Sequence, residues 1–145
     1  MKIINQTSDE NVRKACEIVI KHFKDDAFLK RVKEIDSFNY TNDPGIVVAH
    51  RIQCFDGEVI IRSYRPWFRW SKAIGYEKNG IIYINEYIKL PILDRVENLY
   101  HEICHKIGYS HKGNYVNEFN LQTVPYMVGN MFKNYIKEIY QDIAA

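Results

Sequence analysis

Cysteine is scarce in this 145-residue chain: there are three, Cys16, Cys54 and Cys104, widely spaced and odd in number. That excludes a disulfide framework, and each reads better as a small apolar residue than as a reactive thiol. No apolar run reaches the 18 or more residues that a bilayer-spanning helix needs. The opening Met1-Lys2-Ile3-Ile4-Asn5-Gln6 has neither an apolar signal core nor a cleavage site. The chain therefore reads as soluble, with the cytoplasm the favoured location. Net charge is only +2, too small for nucleic acid or an anionic membrane to be expected as the main partner. Internal repeats and Gly/Ser linkers are absent. Apolar content of 46% and charged content of 26% are ordinary for a globular protein, and the length suits one domain over residues 1–145.

Against this plain background one segment stands out. His101-Glu102-Ile103-Cys104-His105-Lys106-Ile107-Gly108-Tyr109-Ser110-His111 reads HExxHxxGxxH without a mismatch. Five fixed positions of these types would arise by chance with a probability on the order of 2 × 10⁻⁵, so the pattern is unlike an accident of composition. Two histidines four apart project from one face of a helix, near enough to share one ion. Glu102 beside them suits a general base acting on water activated by that metal. Gly108 permits a positive φ, so the helix can stop and His111 can return as a third ligand. Three protein ligands leave a coordination position open, as a catalytic zinc site requires. One zinc ion per chain is expected. Glu118 is the alternative third ligand, less well placed than His111.

Hydrophobic periodicity organises the rest. Val12, Ala15, Cys16, Val19 and Phe23 have helical spacing, with Ser8 as the expected N-cap, and Phe28, Leu29, Val32 and Ile35 extend it as a second short helix or a continuation. After the Asn42-Asp43-Pro44-Gly45 turn, Ile46–Ala49 and Glu58–Arg62 read as strands separated by Asp56-Gly57. Asn79-Gly80 predicts a hairpin joining Ala73–Glu77 to Ile81–Asn85. Asp94 and Glu97 have capping-box spacing for a helix running to Ile107, with Val96, Leu99, Tyr100, Ile103 and Ile107 on its apolar stripe. A last amphipathic helix spans about Val128 to Ile143. The order predicts an α+β domain: N-terminal helix, mixed twisted sheet, metal-binding helix, C-terminal helix.

The motif His101–His111 resembles the zinc signature of the metzincin metallopeptidases, and the strand Ile81–Asn85 ahead of it is similar to the strand in that position there. Gln122-Thr123-Val124-Pro125-Tyr126-Met127-Val128-Gly129 stands where that family carries its Met-turn, with Met127 as its methionine. The resemblance covers about residues 45 to 143. It departs at Lys112, after the third histidine, and at the Tyr126-Met127 pairing. It implies a minimal zincin fold and a peptide or protein substrate lying extended along an edge strand, here Ala73, Ile74, Gly75, Tyr76 and Glu77. The bland reading of Met127 is core filling. For Tyr126, a ligand or oxyanion role stands beside that of a buried tyrosine with a satisfied hydroxyl. Tyr109 and Tyr115 are further candidates without positional support. Arg62–Trp70 interleaves cations with aromatics, as a loop covering the core, a cleft wall or a stacking surface. His22 and His50 carry no assigned chemistry.

The expected activity is zinc-dependent hydrolysis of peptide bonds. The alternatives are a zinc-stabilised binding module without turnover and a zinc hydrolase of a non-peptide amide.

Overall fold

A computed structural model describes residues 1–68, 73–113 and 116–141. Among them the fold is mixed α+β, with six helices and one four-stranded sheet. The chain runs β1 (Lys2–Asn5), α1 (Glu10–His22), α2 (Asp26–Lys33), α3 (Gly45–Cys54), β2 (Glu58–Tyr64), β3 (Gly75–Lys78), β4 (Ile81–Asn85), α4 (Ile92–Ile107), α5 (Glu118–Leu121) and α6 (Val124–Ile139). No described helix is long and apolar enough to cross a membrane.

Strand order is β1-β2-β4-β3, with β1, β2 and β4 parallel and β3 antiparallel at the edge. The β3–β4 hairpin turns as predicted, because Asn79 (φ 53°) and Gly80 (φ 79°) both adopt the positive φ of a type I′ turn. In β4, Ile82 and Ile84 face the core while Tyr83 faces outward and stacks on Tyr76 at 5.0 Å. Tyr64 of β2 joins this outer row, 5.1 Å from Tyr76.

The core lies between the sheet and the helices. Tyr100 of α4 meets Phe132 of α6 at 4.2 Å and Phe23 at 5.1 Å, and Phe28 packs on Tyr100 and Phe132. The buried Tyr100 hydroxyl donates to the Phe23 carbonyl at 3.2 Å, so its polar tip is satisfied. Of the stripe expected on α4, Val96, Leu99, Tyr100 and Ile103 are fully buried and Ile107 is partly buried against the core.

Several expectations are corrected. Ile46–Ala49 is not a strand: it lies in helix α3, where Val48, Ala49 and Ile52 are buried at helical spacing. Burial of that face outweighs the β preference of its branched residues. With that strand gone, Asp56-Gly57 closes no hairpin, and β2 pairs instead with β1, for which no strand was expected. Asp9, not Ser8, caps α1, accepting from the backbone N–H groups of Asn11 and Val12. No capping box forms on α4. Asp94 and Glu97 are both drawn to Lys133 of α6, at 2.5 and 2.9 Å. The last helix begins at Val124, four residues early, and ends at Ile139; Ile143 lies outside the described residues. Trp67 and Phe68 cover no core, being 93% and 54% exposed. Arg65 pairs with Glu86 and Arg62 with Gln6, while positions 69 and 70 lie outside the described residues.

Gly45 opens α3 against the end of α2, where a Cβ would stand 2.1 Å from the Val32 carbonyl oxygen and 2.6 Å from that of Ile35. Both obstacles are backbone. Gly45→Ala is therefore expected to destabilise at or above the upper end of the about 1–3 kcal/mol typical of overpacking. Chemical denaturation checks this, and an unchanged midpoint would show that α2 and α3 separate without cost.

Candidate metal centre

Helix α4 supplies two histidines and the loop after it the third. The helix stops at Gly108, whose φ of 110° is left-handed, with its N–H returning to the His105 carbonyl. From there the chain folds back and brings His111 to the other two. His101 Nε2 lies 3.1 Å from His105 Nε2 and 3.2 Å from His111 Nε2. A tetrahedral zinc ion with bonds of about 2.0–2.1 Å has ligand–ligand edges of about 3.3 Å, so these separations match a shared ion. Among the described residues this is the group of histidines, cysteines and carboxylates close enough to hold a metal.

The opposite edges of the rings make the case stronger. His105 Nδ1 donates to the Tyr109 carbonyl at 2.8 Å, and His111 Nδ1 to the Gly113 carbonyl at 2.7 Å. The His101 ring is hydrogen-bonded to the backbone of Pro125, which can offer only a carbonyl. Carbonyls only accept, so each ring carries its proton on the outer nitrogen and turns a bare lone pair inward. Three inward lone pairs at such distances repel unless a cation lies among them. Outer-edge carbonyls of this kind also fix the tautomer of metal-ligating histidines. The residues fit a metal ion.

Charge agrees with this arrangement. Burial, then the neighbouring rings of His105 and His111, pushes the His101 imidazole down to about 3, and burial lowers His105 as well. Both are neutral at physiological pH, as ligands must be.

Glu102, the residue after His101 on α4, is buried. Burial, then the charge of Glu77, raises its carboxyl to about 7, while the backbone N–H of Glu77 on β3 donates to it and opposes the shift. The direction of that N–H follows from the ladder. Asn85 N–H bonds the Ile74 carbonyl, so Tyr76 and Lys78 point their backbone groups at β4, and Gly75 and Glu77 point theirs to the open edge. The edge strand thus faces the three-histidine cluster across Glu102.

Of the predicted substrate strand, Gly75, Tyr76 and Glu77 lie in β3, whereas Ala73 and Ile74 precede it. The Ala73 carbonyl accepts from the side chains of Asn85 and Tyr64. Glu118 stands exposed at the start of α5, apart from the cluster. Tyr109 is a structural residue, its hydroxyl donating to Asp43 at 3.0 Å. Tyr115 lies outside the described residues. Met127 does not stand in a turn. It belongs to the first turns of α6, its N–H bonded to the Thr123 carbonyl, and its side chain packs against the core. Its neighbour Tyr126 meets the histidine rings, at 4.5 Å from His101 and 4.9 Å from His111. His22 hydrogen-bonds Asp25 and Tyr140, and His50 lies beside the exposed Cys54, both away from the cluster.

Sequence reasoning missed the anchors of the third ligand. Asn120 grips the residue after His111 from both sides, accepting from Lys112 N–H and donating to its carbonyl at 2.7 Å. Gly113 turns with a φ of 69° and presents its own carbonyl to His111. Gly113 was a visible signal, whereas a carbonyl acceptor has no side chain to announce it.

No protein-family model, curated protein or solved structure matches this chain. Zinc titration is expected to saturate at one ion per chain, with His105→Ala and His111→Ala both abolishing tight binding and Glu118→Ala preserving it. Competition with a chromophoric chelator measures this. Retention by His111→Ala together with loss in Glu118→Ala would reassign the third ligand.

Proposed function

We propose that the protein is a small zinc-dependent metallopeptidase of metzincin type. The observation that carries this reading is the convergence of three histidine lone pairs, with the buried Glu102 following directly on His101 in α4. A zinc ion held by His101, His105 and His111 would polarise the scissile carbonyl and make water acidic enough to be deprotonated near neutrality. Glu102 is the general base in this scheme. Its carboxylate takes the proton of the attacking water and hands it to the departing amine nitrogen, so no side chain becomes covalently attached.

β3 supports a peptide substrate over a small molecule. Gly75 turns its backbone groups to an edge that has no strand beyond it, and Glu77 its carbonyl, its N–H being taken by Glu102; an extended peptide can pair with those remaining groups, its scissile bond toward Glu102. Gly75 keeps that edge close: a Cβ there would come within 2.8 Å of the Tyr83 carbonyl oxygen. Glu102 also separates this proposal from a binding module without turnover, because holding a metal needs no carboxylate in that place.

Glu102→Ala is expected to keep zinc at one per chain and to lose about 10²–10⁴ in hydrolytic rate. The assay is cleavage of casein or a quenched peptide library, with and without a chelator. Parental turnover in Glu102→Ala would overturn the mechanism. Chelator-insensitive cleavage would remove the metal from it.

A further inference from the structure

The N-terminal end of α6 holds His101 at three points. The Pro125 carbonyl accepts from its ring, the Tyr126 ring meets the imidazole edge-on with an interplanar angle of 80°, and Gly129 lies against its base. A Cβ at Gly129 would be 3.5 Å from both the Cβ and the backbone nitrogen of His101, so this turn of α6 sits on the ligand itself.

We propose that Tyr126, through its ring and not its hydroxyl, is the positioning residue that braces the metal ligands, the role expected of Met127. The assignment rests on the reading of the three histidines as metal ligands. Tyr126 and Gly129 are three apart and share one face of α6, the face turned toward His101. Met127 is about 200° around the helix from Gly129 and packs against the core.

Tyr126 also touches both sources of the site. Its ring lies against His101 from α4 and, at 4.9 Å and 47°, against His111 from the following loop. A carbonyl bond at Nδ1 fixes a tautomer but leaves an imidazole free to rock about that bond. A rigid aromatic ring packed on two imidazoles at once limits the rocking and constrains the angle between their lone pairs. Among the described residues the hydroxyl makes no hydrogen bond that would orient the ring, so the ring contacts are what tie Tyr126 to the cluster.

The test compares Tyr126→Ala, Tyr126→Phe and Met127→Ala by zinc affinity and by the visible absorption of the cobalt(II)-substituted protein. Tyr126→Ala is expected to weaken zinc binding about 10–100-fold and to alter the cobalt bands, as loss of a ligand-orienting partner does. Tyr126→Phe and Met127→Ala are expected to stay within about twofold of the parent with unchanged bands. Parental affinity in Tyr126→Ala overturns the assignment. So does a Tyr126→Phe variant as weak as the alanine one, which would give the role to the hydroxyl, or a loss confined to Met127→Ala. Thermal unfolding by circular dichroism serves as the folding control. Should Tyr126→Ala not fold, Tyr126→Leu fills the space without a flat ring and is judged by the same loss. A parent chain that binds no zinc overturns the metal site itself, whereas a parent and a Tyr126→Ala variant that bind equally overturn only the role of Tyr126.

Discussion

How closely α6 can lie against α4 governs everything around the three histidines. At the crossing Gly129 has no side chain, and a Cβ there would stand 3.2 Å from the Glu97 carbonyl oxygen. One turn further on the two helices are held by the packed rings of Tyr100 and Phe132. The salt bridges of Lys133 to Asp94 and Glu97 close the rim of the same contact. Partly exposed ion pairs of this kind contribute little by themselves, so the aromatic core carries the docking and the charges align it. The docked α6 then delivers the Pro125 carbonyl and the Tyr126 ring to His101. The ligand cluster is therefore a product of helix packing, with His111 added by a loop that Asn120 pins.

A second face of α4 has a different character. Arg95, Asn98 and Glu102 recur at intervals of three and four, and so form a polar seam beside the apolar stripe. Arg95 is wholly buried and spends its guanidinium on the Ile88 carbonyl at 3.1 Å and on Asn98 at 3.4 Å. Glu102, at the other end, receives the Glu77 N–H. The seam meets the β3–β4 hairpin and the segment leading from it, with Asn98 beside Gly75, Glu102 on the Glu77 N–H and Arg95 on the Ile88 carbonyl.

The three-histidine cluster was legible in the sequence because its chemistry is written in side chains at fixed spacing, and Asn79-Gly80 was legible for the same reason. Interactions that join distant segments were not. Nothing in Lys2–Asn5 announces a partner at Glu58–Ile61, since parallel pairing leaves no local turn signal. Gly45–Cys54 carries β-branched residues that suit either a strand or a buried helix, and only the packing on α2 decides. Asp94 and Glu97 had the spacing of a cap, but a lysine 36 or more residues away claimed both. Tyr126 and Met127 are adjacent, and choosing between them required the phase of α6, which could not be applied while both were expected to lie before its start.

Cys104 sits inside the motif, between the two helical histidines, yet it is fully buried on the core side, and burial followed by the charge of Glu102 raises its thiol far above the usual range. Its sulfur is thus withheld from the cluster, and the donor set among the described residues is nitrogen throughout. Imidazole is a borderline donor that suits copper, nickel and cobalt as well as zinc, and the affinity of such a set rises toward copper. A cluster of this composition cannot choose its metal by chemistry alone. Which ion occupies it would follow the free concentrations in its surroundings.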